Sequence, residues 1–427
     1  SELKYDGVAI SLIYENGLFK QGITRGDGIY GDDVSENIKT IKSIPLKLFG
    51  MPPKLLEFRG EIFINKKDFD ALNLSRSKKR EKLLVEYENK KSRVDVEDLE
   101  KIKKHFHAEC KKLANYSNPR NLASGTLKLL DSAKVAKRNL NCMIYSVHGS
   151  ELPFDSHYHN LLESRKWGFR ISEHIKLNKN VDEIMKFISD SEFVRDSLPF
   201  EIDGVVIKVN NLNSQNILSH TSKFPRWAIS YKFKSPQAIT VLNNIQYQVG
   251  RTGTITPVAD LDPVYLAGSL ISKATLHNQD FIHKMDLKIG DSVFIEKGGD
   301  VIPKVIAVDF KKRNHLCKDI IFITNCPSCG SQLSKPLYEV NHYCLNNDCL
   351  PKKIGQVEHF ISRDAMNIQT LGIKTITLLF EEGLIQNIAD LYVLQLDQLT
   401  SLKGFGEKSQ SIKKAKNIIE SIHKSKN

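Results

Sequence analysis

Residues 1–10 read SELKYDGVAI, which places Lys4 two residues before an Asp-Gly step and just ahead of an apolar run. The run continues as VAISLIYENGLFKQGITR (8–25), in which apolar and polar residues alternate around Asn16-Gly17. That dipeptide tolerates the positive φ angles of a tight turn, so the stretch predicts a β-hairpin. A lysine ahead of an Asp-Gly step is usually a solvated surface charge, so Lys4 alone does not establish a catalytic role.

Further strands and helices are expected after the hairpin. LEFRGEIFI (56–64) and DGVVIKV (203–209) are rich in β-branched and aromatic residues, and both predict strands. Between them, residues 74–114 are dense in Lys and Glu, with apolar residues such as Leu99 and Phe106 at helical spacing. We predict one or two exposed helices there. A charged helix is usually a solvated face, and contact with DNA is the lesser alternative.

The second half of the chain has a different pattern. From about 236 to 310, short strands alternate with Gly and Pro, as in QYQVGRTGTITPV (246–258), which is typical of a small β-barrel. After a cluster of cysteines, helical segments follow, interrupted by LGI (371–373) and GFG (404–406). The predicted order is a large domain of helices and strands, a barrel, a metal site and a helical tail.

Composition narrows the class of protein. A chain of 427 residues exceeds one compact core, which predicts two to four domains. No apolar run approaches the length that spans a bilayer, and no secretory leader is recognisable, so we expect a cytoplasmic protein that does not contact membranes. The formal net charge of +12 favours an anionic partner, nucleic acid first. An AT-biased genome, whose proteins are enriched in lysine, would give the same excess of positive charge.

Four cysteines form the strongest local motif. Cys326 and Cys329 make a C-x2-C pair, and Cys344 and Cys349 make a C-x4-C pair after a spacer of fourteen residues. Two short thiolate chelates predict a closed tetrahedral zinc site that stabilises the fold and leaves no position for catalysis. The alternative is a set of four unpaired reduced cysteines, and the nearby His342 is not needed as a ligand.

Several charged segments give Lys4 a chemical context. They are TRGDG (24–28), FRGEIF (58–63), NPRNLASGTLKLLD (118–131), EIDGVVIKV (201–209) and PRWAISYKFK (225–234). Such a set suits nucleotidyl transfer, because an unprotonated lysine amine can attack an activated phosphate that cations stabilise. Lys208, Lys232 and Arg25 are candidate cations, and Glu61 and Asp203 are candidate magnesium ligands.

In their order along the chain, these motifs resemble those of the NAD-dependent DNA ligases over nearly the whole sequence. The resemblance implies a multidomain α+β protein with a nucleotidyltransferase (adenylation) domain at 1–235 and an OB-fold β-barrel at 236–315. It also implies a four-cysteine zinc ribbon at 322–352 and a partial helix-hairpin-helix region at 353–427. The charged segment of about 74–114 lies where the family has a shorter connection, so we interpret it as an insertion.

The resemblance also assigns roles to residues. ELKYDG matches the adenylation motif, which makes Lys4 the residue that carries AMP through a phosphoramide bond. The residues implied to line the nucleotide pocket are Glu2, Asp6, Gly7, Arg25, Glu61, Arg120, Asp203, Lys208 and Lys232. Glu2 and Lys208 belong to the adenine and ribose end, and Lys232 neutralises the transferred phosphate. The implied DNA contacts are Arg251 and Gly253 in VGRTGTITPVA, and Gly404 and Gly406 in LKGFGEKS.

The activity implied is the sealing of 5′-phosphate/3′-hydroxyl nicks in duplex DNA, in replication and repair, through a lysyl-AMP intermediate. NAD+ would donate AMP, Mg2+ or Mn2+ would assist the transfer, and Zn2+ would be structural. The expected partner is nicked duplex DNA, and the expected state is a monomer associated with the nucleoid. Neither the family's N-terminal domain for nicotinamide mononucleotide nor its C-terminal BRCT region is recognisable in this sequence.

Two other hypotheses stay open at this point. One is a truncated, catalytically incomplete remnant whose barrel, zinc ribbon and hairpins still bind duplex DNA. The other is a nucleotidyltransferase that uses ATP, such as a capping enzyme or an ATP-dependent ligase. A zinc ribbon followed by a helix-hairpin-helix tail is a combination that resembles the NAD-dependent class rather than the ATP-dependent ones.

Overall fold

A computed structural model describes residues 1–26, 28, 30–91, 96–221, 224–298, 302–402 and 409–426. The chain divides into two compact units, 1–234 and 235–427, which are treated separately below.

The strands, numbered along the chain, are β1 (Glu2–Tyr5), β2 (Val8–Glu15), β3 (Leu18–Thr24), β4 (Leu55–Ile64), β5 (Leu140–His148), β6 (Ile202–Lys208), β7 (Ala228–Lys232), β8 (Gln237–Val249), β9 (Thr254–Leu266), β10 (Ser269–Thr275), β11 (Lys288–Ile289), β12 (Ser292–Gly298), β13 (Ile302–Val308), β14 (Lys318–Asp319), β15 (Leu333–Ser334) and β16 (His342–Cys344).

The α-helices are α1 (Ser35–Ile38), α2 (Lys66–Lys91), α3 (Val96–Lys112), α4 (Pro119–Leu127), α5 (Ser132–Ala136), α6 (His157–Lys166), α7 (Val181–Val194), α8 (Leu212–Leu218), α9 (Gln279–Lys284), α10 (Leu350–Ile361), α11 (Ile373–Glu381), α12 (Leu396–Ser401) and α13 (Ser409–Lys424). Short 3-10 helices cover Arg195–Ser197, Phe310–Lys312 and Ala389–Val393.

Two antiparallel sheets organise the first unit. One has the strand order β3-β2-β4-β5 and the other the order β1-β6-β7. The predicted hairpin is confirmed: Asn16 and Gly17 adopt φ values of 52° and 75° and join β2 to β3. Leu12 and Phe58 are fully buried in the core of the larger sheet, and Leu3 and Val205 in that of the smaller one.

The charged segment forms the two predicted helices, α2 and α3, which run side by side. No residue of α2 is fully buried, so the prediction of exposed helices is confirmed. The helix begins at Lys66, several residues before the predicted start near 74. The reason is that Phe69 and Leu72, in its first turns, pack against the core of the larger sheet.

A closed β-barrel forms the first part of the second unit. Its strands follow the order β9-β10-β13-β12-β8 and return to β9. The short strands β16 and β15 continue the sheet from β9, which brings the cysteine segment against the barrel. Three of the predicted zinc ligands, Cys326, Cys344 and Cys349, are buried in the same core as the barrel residues.

The rest of the second unit is helical. Helices α10 to α13 surround a separate core in which Ile376, Leu379 and Leu399 are fully buried. The GFG break, with Gly404 and Gly406, lies outside the described residues, so the DNA contacts predicted there stay a prediction.

Candidate active site

A row of residues across β1, β6 and β7 positions the candidate nucleophile. Lys4 pairs with Gly204 in β6, and Gly204 pairs in turn with Lys232 in β7. Asp203 precedes this glycine, and its two carboxylate oxygens accept hydrogen bonds from Lys4 Nζ at 2.7 and 2.6 Å. The Nζ atom of Lys232 lies 3.6 Å from the same carboxylate. Two amines therefore converge on one carboxylate.

Two glycines permit this close packing. A Cβ atom on Gly204 would lie 2.0 Å from the carbonyl oxygen of Tyr231. A Cβ atom on Gly7 would lie 2.3 Å from the carbonyl oxygen of Ile62 in β4. Neither position accommodates a side chain unless the backbone moves apart. The Asp-Gly step after Lys4 thus joins the smaller sheet to the larger one at the site.

Two carboxylates and one arginine surround the row: Asp6 follows β1, Glu61 lies in β4 of the larger sheet, and Arg120 lies in α4. Arg120 Nη1 donates to Asp6 Oδ1 at 2.8 Å, and this arginine lies in the first turn of α4, whose N-cap is Asn118. Burial raises the pKa of Glu61 to about 7, against the opposing effect of Arg120 and Lys4. Within the described residues, the Glu61 carboxylate has no hydrogen bond or ion pair. A divalent cation would stabilise its charge.

A second, more buried group lies at the other end of β1 and β6. Glu2 forms a close ion pair with Lys208, and His157 Nε2 lies 3.7 Å from the Glu2 carboxylate. Burial opposes the ionisation of Glu2, but Lys208 and His157 outweigh it and keep the pKa of Glu2 below its ordinary value. Burial, followed by Lys208, lowers the pKa of His157. A cavity of about 240 Å³ adjoins this group.

The aromatic residue Tyr145 lies beside the second group. Lys208 Nζ donates to the backbone oxygen of Tyr145 at 2.7 Å and lies 5.1 Å from the centre of its ring. Burial, followed by the charge of Glu61, raises the pKa of the Tyr145 hydroxyl. Tyr145 is therefore a neighbour of the second group through Lys208 and responds to the charge of Glu61 in the first. Arg25 is exposed at the end of β3.

The four cysteines converge as predicted. All four sulfur atoms lie within 4.8 Å of one another, with 3.8 Å between Cys326 and Cys349 and 3.5 Å between Cys329 and Cys344. Sulfurs about 2.3 Å from a tetrahedral zinc ion would be about 3.8 Å apart, so the cluster fits Zn2+. His342 is not part of this cluster, and its ring lies 4.6 Å from that of Phe322.

The predicted DNA-contact turn joins β8 to β9. Arg251 is exposed there, and Gly253 has φ 87°. The Gly253 carbonyl oxygen accepts a hydrogen bond from Cys344 N at 2.9 Å, and a Cβ atom would lie 2.4 Å from the carbonyl oxygen of Cys344. The cysteine segment thus fixes the turn through the backbone of Cys344, while Arg251 stays exposed.

Comparison with protein families agrees with this geometry. Residues 1–92 and 91–236 match the NAD-dependent DNA ligase adenylation domain, and residues 239–316 match the NAD-dependent DNA ligase OB-fold domain. The chain belongs to the NAD-dependent DNA ligase family. The α+β organisation with an adenylation domain followed by an OB barrel is confirmed, and the family is not one of the ATP-using nucleotidyltransferases.

Bacterial relatives named DNA ligase align with the whole chain. The protein of Flavobacterium psychrophilum is 47% identical over 427 residues, and that of Bacteroides fragilis is 45% identical over 427 residues. In both cases the alignment covers 100% of this chain and 59% of the relative. The chain thus spans less than two thirds of the length of these ligases. Among its described helices, none has the length and apolar character needed to cross a membrane.

The sequence of this member of the family did not identify every residue at the site. Its motifs pointed to Glu2 and Lys208 but not to His157 or Tyr145. His157 reaches Glu2 from the first turn of α6, far away along the chain, and no local motif marks it. For Tyr145, an aromatic residue in the middle of a strand was the available signal, and such residues are more often part of a core.

Proposed function

We propose that this chain is the catalytic core of an NAD-dependent DNA ligase that seals nicks with a 5′-phosphate and a 3′-hydroxyl. The Nζ atom of Lys4 attacks the adenylyl phosphorus of NAD+, a nitrogen–phosphorus bond forms, and nicotinamide mononucleotide leaves. The 5′-phosphate of the nick then takes AMP from Lys4. Finally, the 3′-hydroxyl attacks that 5′-phosphorus, a phosphodiester bond forms and AMP leaves.

One observation carries this proposal: Lys4 and Lys232 converge on Asp203 within the row of β1, β6 and β7. The carboxylate orients the Lys4 amine and is the nearest acceptor for its proton. Lys232 supplies a positive charge beside the phosphorus under attack, where negative charge develops. Arg120 and Arg25 add cations at the edge of the site, and the pair of Glu2 and Lys208 offers a carboxylate and an amine for the adenine and ribose end.

The site also suits a divalent metal ion, Mg2+ or Mn2+. Glu61 and Asp203 are the carboxylates that would hold it, and the half-buried Glu61 carboxyl, which has no hydrogen bond or ion pair among the described residues and a raised pKa, supports this assignment. When bound, the ion would neutralise charge on the phosphate oxygens. The four cysteines would hold a structural Zn2+.

The organisation of the chain follows from the same proposal. We place an adenylation domain at 1–235, an OB-fold domain at 236–315, a zinc finger at 322–352 and a partial helix-hairpin-helix domain at 353–427. The ligase would act as a monomer in the bacterial cytoplasm, at the nucleoid, in replication and repair. Arg251 and Gly253 would contact the duplex beside the nick, together with the turn that contains Gly404 and Gly406.

Strand joining on a nick that already carries AMP on its 5′-phosphate tests the proposal. The purified chain with Mg2+ should join this substrate, because the last step does not require AMP on Lys4. Lys4→Ala should also join it, yet should fail on a nick with an ordinary 5′-phosphate when NAD+ is supplied. Lys166→Ala, a change of an exposed lysine paired with Glu163, is the matched control and should behave as the unaltered chain.

Each alternative outcome has a distinct meaning. If the unaltered chain binds the adenylated duplex without joining it, the chain is the catalytically incomplete remnant. If Lys4→Ala charges itself with AMP as fast as the unaltered chain does, the nucleophile is a different residue.

A further inference from the structure

The two-helix insertion is a large feature of the first unit that the proposed function leaves without a role. We call helices α2 and α3, Lys66–Lys91 and Val96–Lys112, the arm. At about 1.5 Å per residue, the 26 residues of α2 extend for about 39 Å. The arm begins just after β4, which carries Glu61, and leads back to α4, which carries Arg120. Both of its ends are therefore joined to elements of the candidate active site.

Hydrogen bonds attach the arm firmly to the first unit. Asn73 and Tyr116 exchange two bonds, with Tyr116 N donating to Asn73 Oδ1 at 2.8 Å. Arg76 donates to the carbonyl oxygen of Ala114 at 2.8 Å, and its guanidinium lies 4.3 Å from the centre of the Tyr116 ring. Arg80 donates to Asn115 Oδ1 at 3.0 Å. These contacts define the direction in which the arm leaves the unit.

The helices of the arm face each other along one side. Tyr87 and Phe106 stack with ring centres 4.5 Å apart, and Leu83 and Ile102 are half-buried between the helices. Outside this contact, α2 exposes Lys78, Lys79 and Lys82 to solvent. These three side chains have no hydrogen bond or ion pair with any described residue of the chain.

Charge is distributed unevenly along the arm. The segments 76–82 and 103–112, which we call the root, contain nine Lys and Arg and two Asp and Glu. The described residues at the other end of the arm, 86–91 and 96–101, which we call the tip, contain three Lys and five Asp and Glu. A helix that is only in contact with solvent does not require its positive and negative residues to be separated along its length. The excess of positive charge lies at the end of the arm that is attached beside the active site.

The cations of the root divide into two kinds. Arg76 and Arg80 attach the arm through the bonds described above. In contrast, Lys78, Lys79 and Lys82 are exposed and form no ion pair within the described part of the chain. Lys82 lies about one turn from both Lys78 and Lys79, so the three side chains spread over an arc of about 100° with Lys82 in the middle. They form an open row of charge that does not contribute to the fold.

We infer that the root of the arm is an additional binding surface for the phosphate backbone of duplex DNA next to the nick. This inference rests on the proposed function, because a duplex held for sealing must lie at the active site from which the arm starts. Lysines on an exposed helix face suit phosphates regardless of base sequence. An acidic protein partner is the less favoured occupant. Binding such a partner would not require the positive charge of the arm to be concentrated at the end nearest the active site.

The test is DNA binding at several salt concentrations. Lys78→Gln, Lys79→Gln and Lys82→Gln are combined in one variant, and Lys39→Gln, Lys134→Gln and Lys166→Gln in a control with the same change of charge. Each lost phosphate contact lowers the slope of log K against log salt by about 0.9, so the root variant should lose about two to three units of slope and bind nicked duplex about tenfold or more weakly. The control should stay within about twofold of the unaltered chain.

Joining of a pre-adenylated nick at saturating DNA separates this inference from the proposed function. The root variant should join at the unaltered rate, since it changes no residue of the site. If root variant and control share one affinity and one slope while joining is intact, the surface does not bind DNA. If the unaltered chain binds but joins nothing, the proposed function is wrong, and the salt slopes still decide whether the root contacts duplex. Unchanged far-ultraviolet circular dichroism would show that the helices are retained.

Discussion

At the scale of single residues, Gly204 controls how closely β6 approaches β7 beside Lys4. We expect Gly204→Ala to lower the free energy of unfolding by about 1–3 kcal/mol, because the new methyl group would meet the Tyr231 carbonyl at 2.0 Å. The rate of AMP transfer should fall by more than the loss of folded protein explains, because Lys232 lies on the displaced strand. Denaturant unfolding and a transfer assay measure the two effects.

Gly125 provides the matched control for that substitution. It is exposed within α4, and no atom lies within 4 Å of the position its Cβ would take. Gly125→Ala should therefore increase stability by about 0.5–1 kcal/mol, as expected for a helix interior. Equal destabilisation by both substitutions would mean that close backbone approach at Gly204 is not the cause.

His148 should make the first unit sensitive to acid. Burial, with Arg59 nearby, lowers the pKa of His148 from 6.5 to about 4. The unfolded chain then binds more protons than the folded chain between these values, so stability should fall as the pH drops from about 6.5 to 4 and should be flat above. His148→Gln should flatten part of that slope. An unchanged profile of unfolding free energy against pH would contradict this account.

The sequence predicted some residue contacts and missed others. Asp6 and Arg120 both stand in recognisable motifs, and the structure brings them to 2.8 Å. The contact between Glu2 and His157 depends on how α6 packs against β5 of the larger sheet and so brings its first turn to Glu2, which no spacing in the sequence encodes. Local pattern therefore pointed to Asp6 and Arg120 as candidates that the fold brings into contact, while the packing that lowers the pKa of His157 required the fold.

At the scale of elements, the cysteine segment should depend on its metal. Three of the four sulfurs are buried in the core of the barrel, so loss of Zn2+ would leave thiolates without a counter-charge there. We expect a strong chelator, or Cys349→Ser, to lower the melting temperature of the second unit by roughly 5 °C or more. Metal analysis should find about one zinc per chain.

Cys110→Ser is the control for the cysteine substitution, since Cys110 lies in the arm and outside the cluster. It should retain zinc and the original melting temperature. If the chelated chain melted at the same temperature as the untreated one, the cluster would not stabilise the second unit.

Elements were predicted from sequence with different success. Alternating residues around Asn16-Gly17 specify a hairpin because the turn chemistry and the strand period agree. The charged segment predicted helices from composition, but its start at Lys66 depends on Phe69 and Leu72 packing on a sheet that the local sequence does not reveal. The closure of the barrel needs β9 to pair with both β8 and β10, which is a property of the assembled sheet.

At the scale of the whole molecule, the division into two units matches the division of labour that we propose. The first unit holds the amines and carboxylates to which we assign AMP transfer, and the second holds the barrel turn with Arg251, the cysteine cluster and the helices. Each motif singled out in the sequence lies within one unit, and the four predicted domain boundaries stay a prediction.

The most direct test of the central claim is the position of AMP on the chain. Reversal of the second step provides it: the chain receives a duplex with a pre-adenylated nick whose 3′ end lacks a hydroxyl, so that joining is blocked and AMP can move back to the protein without NAD+. Peptide mass spectrometry should find AMP on Lys4, and none on the Lys4→Ala chain. AMP on a different lysine of the unaltered chain, or an equal amount of AMP on the Lys4→Ala chain, would contradict the account.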